Sequence, residues 1–335
     1  MARSHLTLAA LATSAVGGLD AQAAAGFGSG SNNDFDSALV TGTDGRHWIV
    51  RVPTSERAEA EQSADLVALR ALSQGIRTRL PFSVSSYAGQ APVDGTRAVV
   101  YEFVYGSKLS LGSLHPDDLA ASVGRAIAGI HLLPTSFVAD AGLPVLAPHD
   151  VLRTTVTLMD RAAATNLVPS TLLGRWERAG EDSALWQFAP TVVNGDLTAA
   201  SFLHADGEVS GVIGWHALSV GDPARDLCWL LGSRDEAVID TAIDAYTQVR
   251  GGTDRQLGKR ARLYAELEIA KWLLHGTQQR NTEIVDDAVR MLHGLLDRVD
   301  GNLDETISHN TMPVMTVDEV QSMLDERDRD TRSSD

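Results

Sequence analysis

A single cysteine, Cys228, stands in 335 residues. The chain can therefore build no internal disulfide framework and no zinc site resting on thiolates. Cys228 lies between Leu227 and Trp229 in an apolar run that reads as helical, where a lone cysteine serves as a small buried hydrophobe. Positive charge is also scarce. Lys and Arg number 28 against 44 Asp and Glu, a formal net charge of −16, which disfavours nucleic acid and anionic membrane as partners. No stretch approaches the ~20 uninterrupted apolar residues of a membrane-spanning helix. What is present suits a folded globular chain: 44% of residues are hydrophobic and 21% charged, enough for a sizeable core in one or two domains.

Two readings are open for residues 1–23. Met1–His5, an apolar Leu6–Leu19 and Ala21-Gln22-Ala23 have the layout of a secretory signal. Against it, Thr7, Thr13, Ser14, Gly17 and Gly18 dilute the apolar stretch, and Leu6, Leu8, Leu11 and Val16 fit one side of a short amphipathic helix. A cytoplasmic protein with an N-terminal helix is the expectation.

Residues 24–104 read as a small sheet-rich unit. Ser37–Thr41 and His47–Val52 are short strands around the turn Gly42-Thr43-Asp44-Gly45. A helix follows Pro53, with Thr54 or Ser55 as cap, Glu56 and Glu59 in its first turns, and an apolar face of Ala64, Val67, Ala68 and Ala71. Phe82–Tyr87 and Arg97–Phe103 are two further strands. Residues 105–300 turn helical: Leu119, Val123, Ile127 and Ile130 recur at helix spacing, residues 149–187 are mostly helical, and amphipathic helices span about Arg260–His275 and Ile284–Val299. In the tail, 301–335, Thr316-Val317-Asp318-Glu319 is a capping-box pattern opening a helix through Leu324. Asp325–Asp335 is nearly all charged or small polar and reads as a disordered, solvated end, with a partner-binding tail as the alternative.

Chemistry concentrates between Val192 and Leu231. An apolar strand runs into the turn Asn194-Gly195-Asp196. A hairpin follows, Ser201-Phe202-Leu203 against Val209–Ile213 around Ala205-Asp206-Gly207. Then come Gly214-Trp215-His216 and Gly221-Asp222-Pro223-Ala224-Arg225-Asp226-Leu227. Asp196 has two readings, a cleft-facing carboxylate or a turn Asp capping its own backbone. Upstream, Gly26-Phe27-Gly28-Ser29-Gly30-Ser31-Asn32 is either a phosphate cradle, since glycines let backbone N–H groups approach closely, or a flexible loop. Arg51 shares a strand face with Ile49 and Pro53.

This order resembles the catalytic core of the aminoglycoside/macrolide phosphotransferase family. There the pattern is His-Gly-Asp with an Asn five residues after the Asp, a hairpin, Ile-Asp-Trp, then Gly-Asp-Pro-x-x-Asp-Leu. The resemblance implies a protein-kinase-like α+β fold, with a small β-rich N-lobe and a mainly helical C-lobe joined by a hinge where the strand Ala98–Phe103 ends at Gly106. It implies phosphoryl transfer from ATP or GTP to a hydroxyl of a small-molecule acceptor. Asp196 would be the catalytic aspartate. Gly28, Gly30, Ser31, Arg51, its partner acid Glu61 (Glu59 second) and Glu102 would bind nucleotide. Asp222 would cap the helix starting at Pro223, and Asp226 would hold the catalytic-loop backbone.

The chain departs from the pattern at three positions: Asn194 for the His, Ser201 for the Asn, and Gly214 for a metal-binding Asp. Ser201 would be a poor metal ligand and Gly214 none, because Mg²⁺ seeks carboxylates and other hard oxygens. Losing ~4 kcal/mol of metal stabilisation slows a reaction about 10³-fold. The expectation is a phosphotransferase with impaired metal binding. The alternatives are a nucleotide- or metabolite-binding pseudokinase without turnover, and an interaction scaffold. His131 reads as a helix-end histidine facing the dipole. His216 could donate to phosphate when protonated.

Overall fold

A computed structural model describes residues 3–28, 34–251 and 254–300. In chain order the N-terminal part carries helix α1 (His5–Ala15), strands β1 (Ala21–Gly26), β2 (Phe35–Gly42) and β3 (His47–Pro53), and helices α2 (Glu56–Ala71) and α3 (Gln74–Arg77). Strands β4 (Ser83–Val84), β5 (Tyr87–Val93), β6 (Thr96–Glu102) and β7 (Ser107–Lys108) follow. The remainder holds α4 (Asp118–His131), α5 (Ser136–Asp140), α6 (Pro148–Ala163), α7 (Ser170–Glu181), β8 (Thr191–Val193), β9 (Phe202–Ala205), β10 (Glu208–Val212), β11 (Ser219–Gly221), α8 (Glu236–Arg250), α9 (Leu257–Gln279) and α10 (Thr282–Asp300).

The N-lobe is an antiparallel sheet in the order β1-β2-β3-β6-β5. Alternation along its strands gives two apolar faces. On the outer face Val40, Trp48, Val50, Ala98 and Val100 pack against Leu8 and Ala12 of α1. On the inner face Val99 and Tyr101 pack with Leu66 and Leu69 of α2. Cross-strand pairing of Ile49 with Tyr101 and Arg51 with Val99 sets Arg51 on this inner face. Helix α1 lies so close to β5 that a Cβ at Gly89 would sit 2.1 Å from the carbonyl oxygen of Ala15. Leu6, expected on the buried stripe, is 68% exposed, because α1 turns Leu8, Ala9 and Ala12 to the sheet instead. Residues Ala21-Gln22-Ala23 belong to β1, which pairs with β2, so the glycine-rich segment falls in sequence between these two paired strands.

Helix α2 is capped by Ser55, whose Oγ accepts from the Ala58 amide at 3.2 Å. Its buried face is Ala58, Gln62, Leu66, Ala68 and Leu69; Val67, expected inside, faces solvent. The expected strand 82–87 is divided. Ser83–Val84 runs parallel to β10 in a second sheet, β4-β10-β9-β7, while Tyr87 opens β5 of the first. The guanidinium of Arg77 donates to the carbonyls of Leu69, Leu72, Val84 and Ser85, tying the end of α2 to β4.

The C-lobe packs around α9, which buries most of its length. The apolar run after Pro223 forms two short 3₁₀ turns, Pro223–Asp226 and Cys228–Gly232, in place of the expected helix. Cys228 is buried there. No described helix is long and apolar enough to cross a membrane. The tail from 301 lies outside the described residues, as do Gly30 and Ser31 of the glycine-rich segment.

Candidate active site

The loop between β8 and the β9–β10 hairpin is built on a buried carboxylate. Asp226 is fully buried and accepts the amides of Asn194 and Gly195, each at 2.7 Å. His131 Nε2 meets the same carboxylate at 3.2 Å, and its Nδ1 meets the Tyr246 hydroxyl at 2.9 Å. His131 is thus a buried bridge between α4, α8 and this loop, beyond the helix-dipole role expected of it. Gly195 takes φ +87°, and a Cβ there would lie 2.6 Å from the Ala217 carbonyl oxygen. Only glycine fits this turn.

Asn194 fills the place of the expected histidine with both ends of its amide. Its Nδ2 donates to the Gly214 carbonyl at 2.8 Å, and its Oδ1 accepts the Asp196 amide at 3.2 Å. The Asp196 side chain leaves the turn 44% exposed and meets His216 Nε2 at 3.3 Å. It is open to solvent yet set in a concavity that desolvates it. Against that desolvation, His216, Arg225 and Lys271 hold its carboxyl below the usual range. Hydrogen bonding to Asp196 in turn raises the His216 imidazole, against its own desolvation. Behind this pair Arg225 and Lys271 both reach Glu268, at 2.6 and 2.7 Å. Arg225 also donates to the Gly195 carbonyl at 3.3 Å.

The N-lobe meets this loop through α2. The amide of Trp215 donates to Asp65 Oδ1 at 2.7 Å. Burial raises the Asp65 carboxyl, opposed by the Trp215 amide and then by the fields of Arg51 and His216. Asp65 is thus the α2 carboxylate that meets the segment after β10, and the positive field of Arg51 favours its charged form. Glu61, the expected partner, lies one turn earlier and pairs with Arg57 at 3.4 Å. The Arg51 guanidinium itself stacks over the Phe35 ring, 3.9 Å from its centroid. Asp65 carries the same i, i+4 spacing from Glu61 that joins neighbours on one helix face. The sequence signal was a carboxylate bordering the buried Leu66 and Leu69.

Other expected residues fall as follows. Gly28 has φ +79° with open space around it, so it meets the backbone requirement of the loop start rather than a close contact. Glu102 ends β6, its carboxylate paired outward with Arg46 at 2.8 Å, both side chains exposed. The Ser201 hydroxyl accepts the Thr198 amide at 3.1 Å and shares a 3.3 Å contact with the Thr198 hydroxyl. Asp222 caps its 3₁₀ turn through the Ala224 amide at 2.9 Å. Its carboxylate is also held by Arg260 at 2.7 Å and by the Tyr264 hydroxyl at 2.8 Å.

A five-stranded lobe, an α2 acid reaching the segment after a hairpin, and an aspartate in a glycine turn held from a buried Asp define a protein-kinase-like phosphotransferase fold. The chain belongs to the phosphotransferase enzyme family, whose model matches residues 26–264. Among solved structures, a type I macrolide 2′-phosphotransferase is 25% identical with a TM-score of 0.69, over 86% of this chain and 96% of that one. The macrolide 2′-phosphotransferase MphH of Brachybacterium faecium is 23% identical with a TM-score of 0.69, over 82% and 94%. An aminoglycoside 2′-phosphotransferase-IIIa bound to GDP shares the fold at 18% identity and a TM-score of 0.72, over 87% and 98%. The uncharacterized protein YcbJ of Bacillus subtilis is 22% identical over 271 residues, 76% of this chain and 87% of its own length.

The family implies Mg²⁺, and the residues do not fit it. Gly214 supplies no carboxylate, and its carbonyl already accepts from Asn194. Ser201 is turned to Thr198 and Asp222 is sealed by Arg260 and Tyr264. Among the described residues no group of three or more His, Cys, Asp or Glu is arranged to hold a metal ion.

Proposed function

We propose that the protein transfers the terminal phosphoryl group of ATP or GTP to a hydroxyl of a small molecule. One observation carries this reading. Two consecutive residues, Trp215 and His216, contact the α2 acid and the loop aspartate respectively. This link supports a reading in which the phosphate-side residues and the hydroxyl-side residue face one cleft. Phosphoryl transfer asks the protein mainly for positioning and charge. Asp196, kept ionised, accepts a hydrogen bond from the acceptor hydroxyl and aims its oxygen at the phosphorus. Arg51 lies on the nucleotide side of that line, next to Asp65. The backbone between Glu102 and Gly106 is the hinge against which the purine would rest, and Gly28 with Gly30 and Ser31 would cover the phosphates. The relatives named for macrolide and aminoglycoside phosphorylation suggest acceptors rich in hydroxyl and amino groups, and the net charge of −16 suits a cationic one.

The test is incubation with ATP or GTP and a panel of macrolides and aminoglycosides, read by mass spectrometry for a product heavier by one phosphoryl group. Asp196→Ala should abolish product while the protein stays folded, its melting temperature lowered only by the loss of the pairing with His216. A second reading is a nucleotide binder without turnover, favoured by Gly214 and Ser201. Binding without product would support it, and neither binding nor product would leave the interaction scaffold.

A further inference from the structure

The turn that carries Asp196 and the segment after β10 lie side by side as the continuation of a strand pair. Strands β8 and β11 are antiparallel, with Thr191 opposite Gly221, Val192 opposite Val220 and Val193 opposite Ser219. Carried onward past Val193, that register sets Gly195 opposite Ala217 and Asp196 opposite His216. The contacts agree with it. A Cβ on Gly195 would meet the Ala217 carbonyl oxygen at 2.6 Å. Asn194 Nδ2 reaches across to the Gly214 carbonyl at 2.8 Å. His216 Nε2 meets Asp196 Oδ2 at 3.3 Å.

The residue before the imidazole is locked. Trp215 is fully buried, its amide donates to Asp65 at 2.7 Å and its indole Nε1 donates to the Val212 carbonyl at 3.0 Å. Its ring stacks on Phe82 with centroids 6.4 Å apart. A backbone fixed at Trp215 leaves the next side chain few rotamers. Asp196 has less support of its own. Among the described residues its Oδ2 meets His216 and its Oδ1 meets no donor. Ser201, the nearest candidate in its own loop, is turned to Thr198. With both side chains part-exposed, water screens the pair and it adds little to stability. Its consequence is the direction of the carboxylate: Oδ2 is occupied and Oδ1 is left for a ligand.

We propose that His216 is a positioning residue for phosphoryl transfer: by donating to Oδ2 it fixes the rotamer of Asp196 and leaves Oδ1 to take the acceptor hydroxyl. The proposal rests on the phosphotransferase reading above, and it gives His216 no contact with nucleotide or acceptor. An imidazole can donate from Nε2 whether neutral or protonated, so the role does not depend on its charge. A carboxylate free to rotate would aim the hydroxyl at phosphorus only part of the time. Misplacing a reacting atom by ~1 Å can cost about 10²-fold in rate. The signature lies in kcat rather than KM, because the contact orients reactants already bound.

The test is steady-state transfer by the full chain, with ATP or GTP and the macrolide or aminoglycoside that yields most product. His216→Ala and His216→Leu, which both remove the donor, should lower kcat by up to ~10²-fold. KM for the acceptor and nucleotide affinity by titration should stay within about threefold of wild type. His216→Gln keeps an N–H near the place of Nε2 and should remain within ~10-fold of wild type. Free imidazole in the buffer should speed His216→Ala and leave His216→Gln unchanged. Melting temperatures check folding, and if one donor-less variant fails to fold the other decides. Unchanged kcat in a folded donor-less variant, or a loss confined to KM, overturns the proposal and leaves the phosphotransferase reading standing. So does a His216→Gln as slow as the donor-less variants with no rescue by imidazole, the mark of a purely structural role. No product from wild type with any acceptor removes that reading, and this proposal with it.

Discussion

The carboxylate of Asp226 and the amide of Gly195 lie 2.7 Å apart, thirty-one residues distant in sequence. With the Asn194 amide and His131 on the same side chain, a fully buried carboxyl group fixes the loop that presents Asp196. Asp226→Asn swaps one acceptor oxygen for an N–H₂ that must face donors. The expected loss is about 2–4 kcal/mol, the range for leaving buried hydrogen-bond groups unpaired. Urea unfolding of the variant checks it, and a midpoint equal to wild type would contradict the bracing role.

Gly214→Asp restores the family's carboxylate. Gly214 has φ +75° with open space around it, so the cost is backbone strain of about 1 kcal/mol rather than a clash. If the missing carboxylate limits turnover, Mg²⁺-dependent nucleotide hydrolysis should rise by up to ~10³. Ser201→Asn should add to it. Phosphate release with and without Mg²⁺ is the assay, with Asp196→Ala in the same background as control. A folded, nucleotide-binding double variant that stays inert would place the defect elsewhere.

The Asp196–His216 pair makes stability depend on pH in a defined direction. His216 is faced by Asp196, Glu61 and Asp65, and Asp196 by His216, Arg225 and Lys271. The folded imidazole is raised, so its contribution is complete below ~6.5 and lost as pH climbs through the raised value. The folded Asp196 carboxyl is lowered, so its contribution is present above ~3.9 and lost as pH falls through the lowered value. Wild type minus His216→Gln, compared by urea midpoint, should be largest between these limits and shrink toward alkaline pH. A difference flat from acid to alkaline pH would falsify the ion pair.

At the outer face, Gly89→Val should unseat α1, because a Cβ would come within 2.1 Å of the Ala15 carbonyl oxygen. Leu8 and Ala12 would then lose their apolar cover. Burying a leucine stabilises by about 1.5–3 kcal/mol, so a loss of that order is expected. Limited proteolysis should cut the variant first between α1 and β1.

The catalytic-type loop was legible because its determinants are local: a glycine that must hold φ +87°, an Asn closing on the amide two residues later, a hairpin turn at Asp206-Gly207. The departures at Gly214 and Ser201 were visible for the same reason. Strand β1 was not legible. Ala21-Gln22-Ala23-Ala24-Ala25 has no β-branched or aromatic residue, and only its pairing with β2 makes it a strand. Asp65 gave no signal beside Glu61, because what distinguishes it is the Trp215 amide, 150 residues away. The apolar run after Pro223 has helical composition, but capping at Asp222 and the Arg260 bridge hold it in 3₁₀ turns.

Helix α2 is tied in three directions. Arg77, at the end of α3, donates both to the Leu69 carbonyl of α2 and to the Val84 carbonyl of β4; Asp65 takes the Trp215 amide; and Gln62 donates to the Arg51 carbonyl at 3.3 Å. Strand β4 and Trp215 both belong with the C-lobe sheet and hairpin, while Arg51 belongs to the N-lobe. The helix is therefore a strut spanning the gap rather than a passenger on either lobe. A frame triangulated in this way resists swinging apart, since moving one lobe against the other would break hydrogen bonds at both ends of the strut.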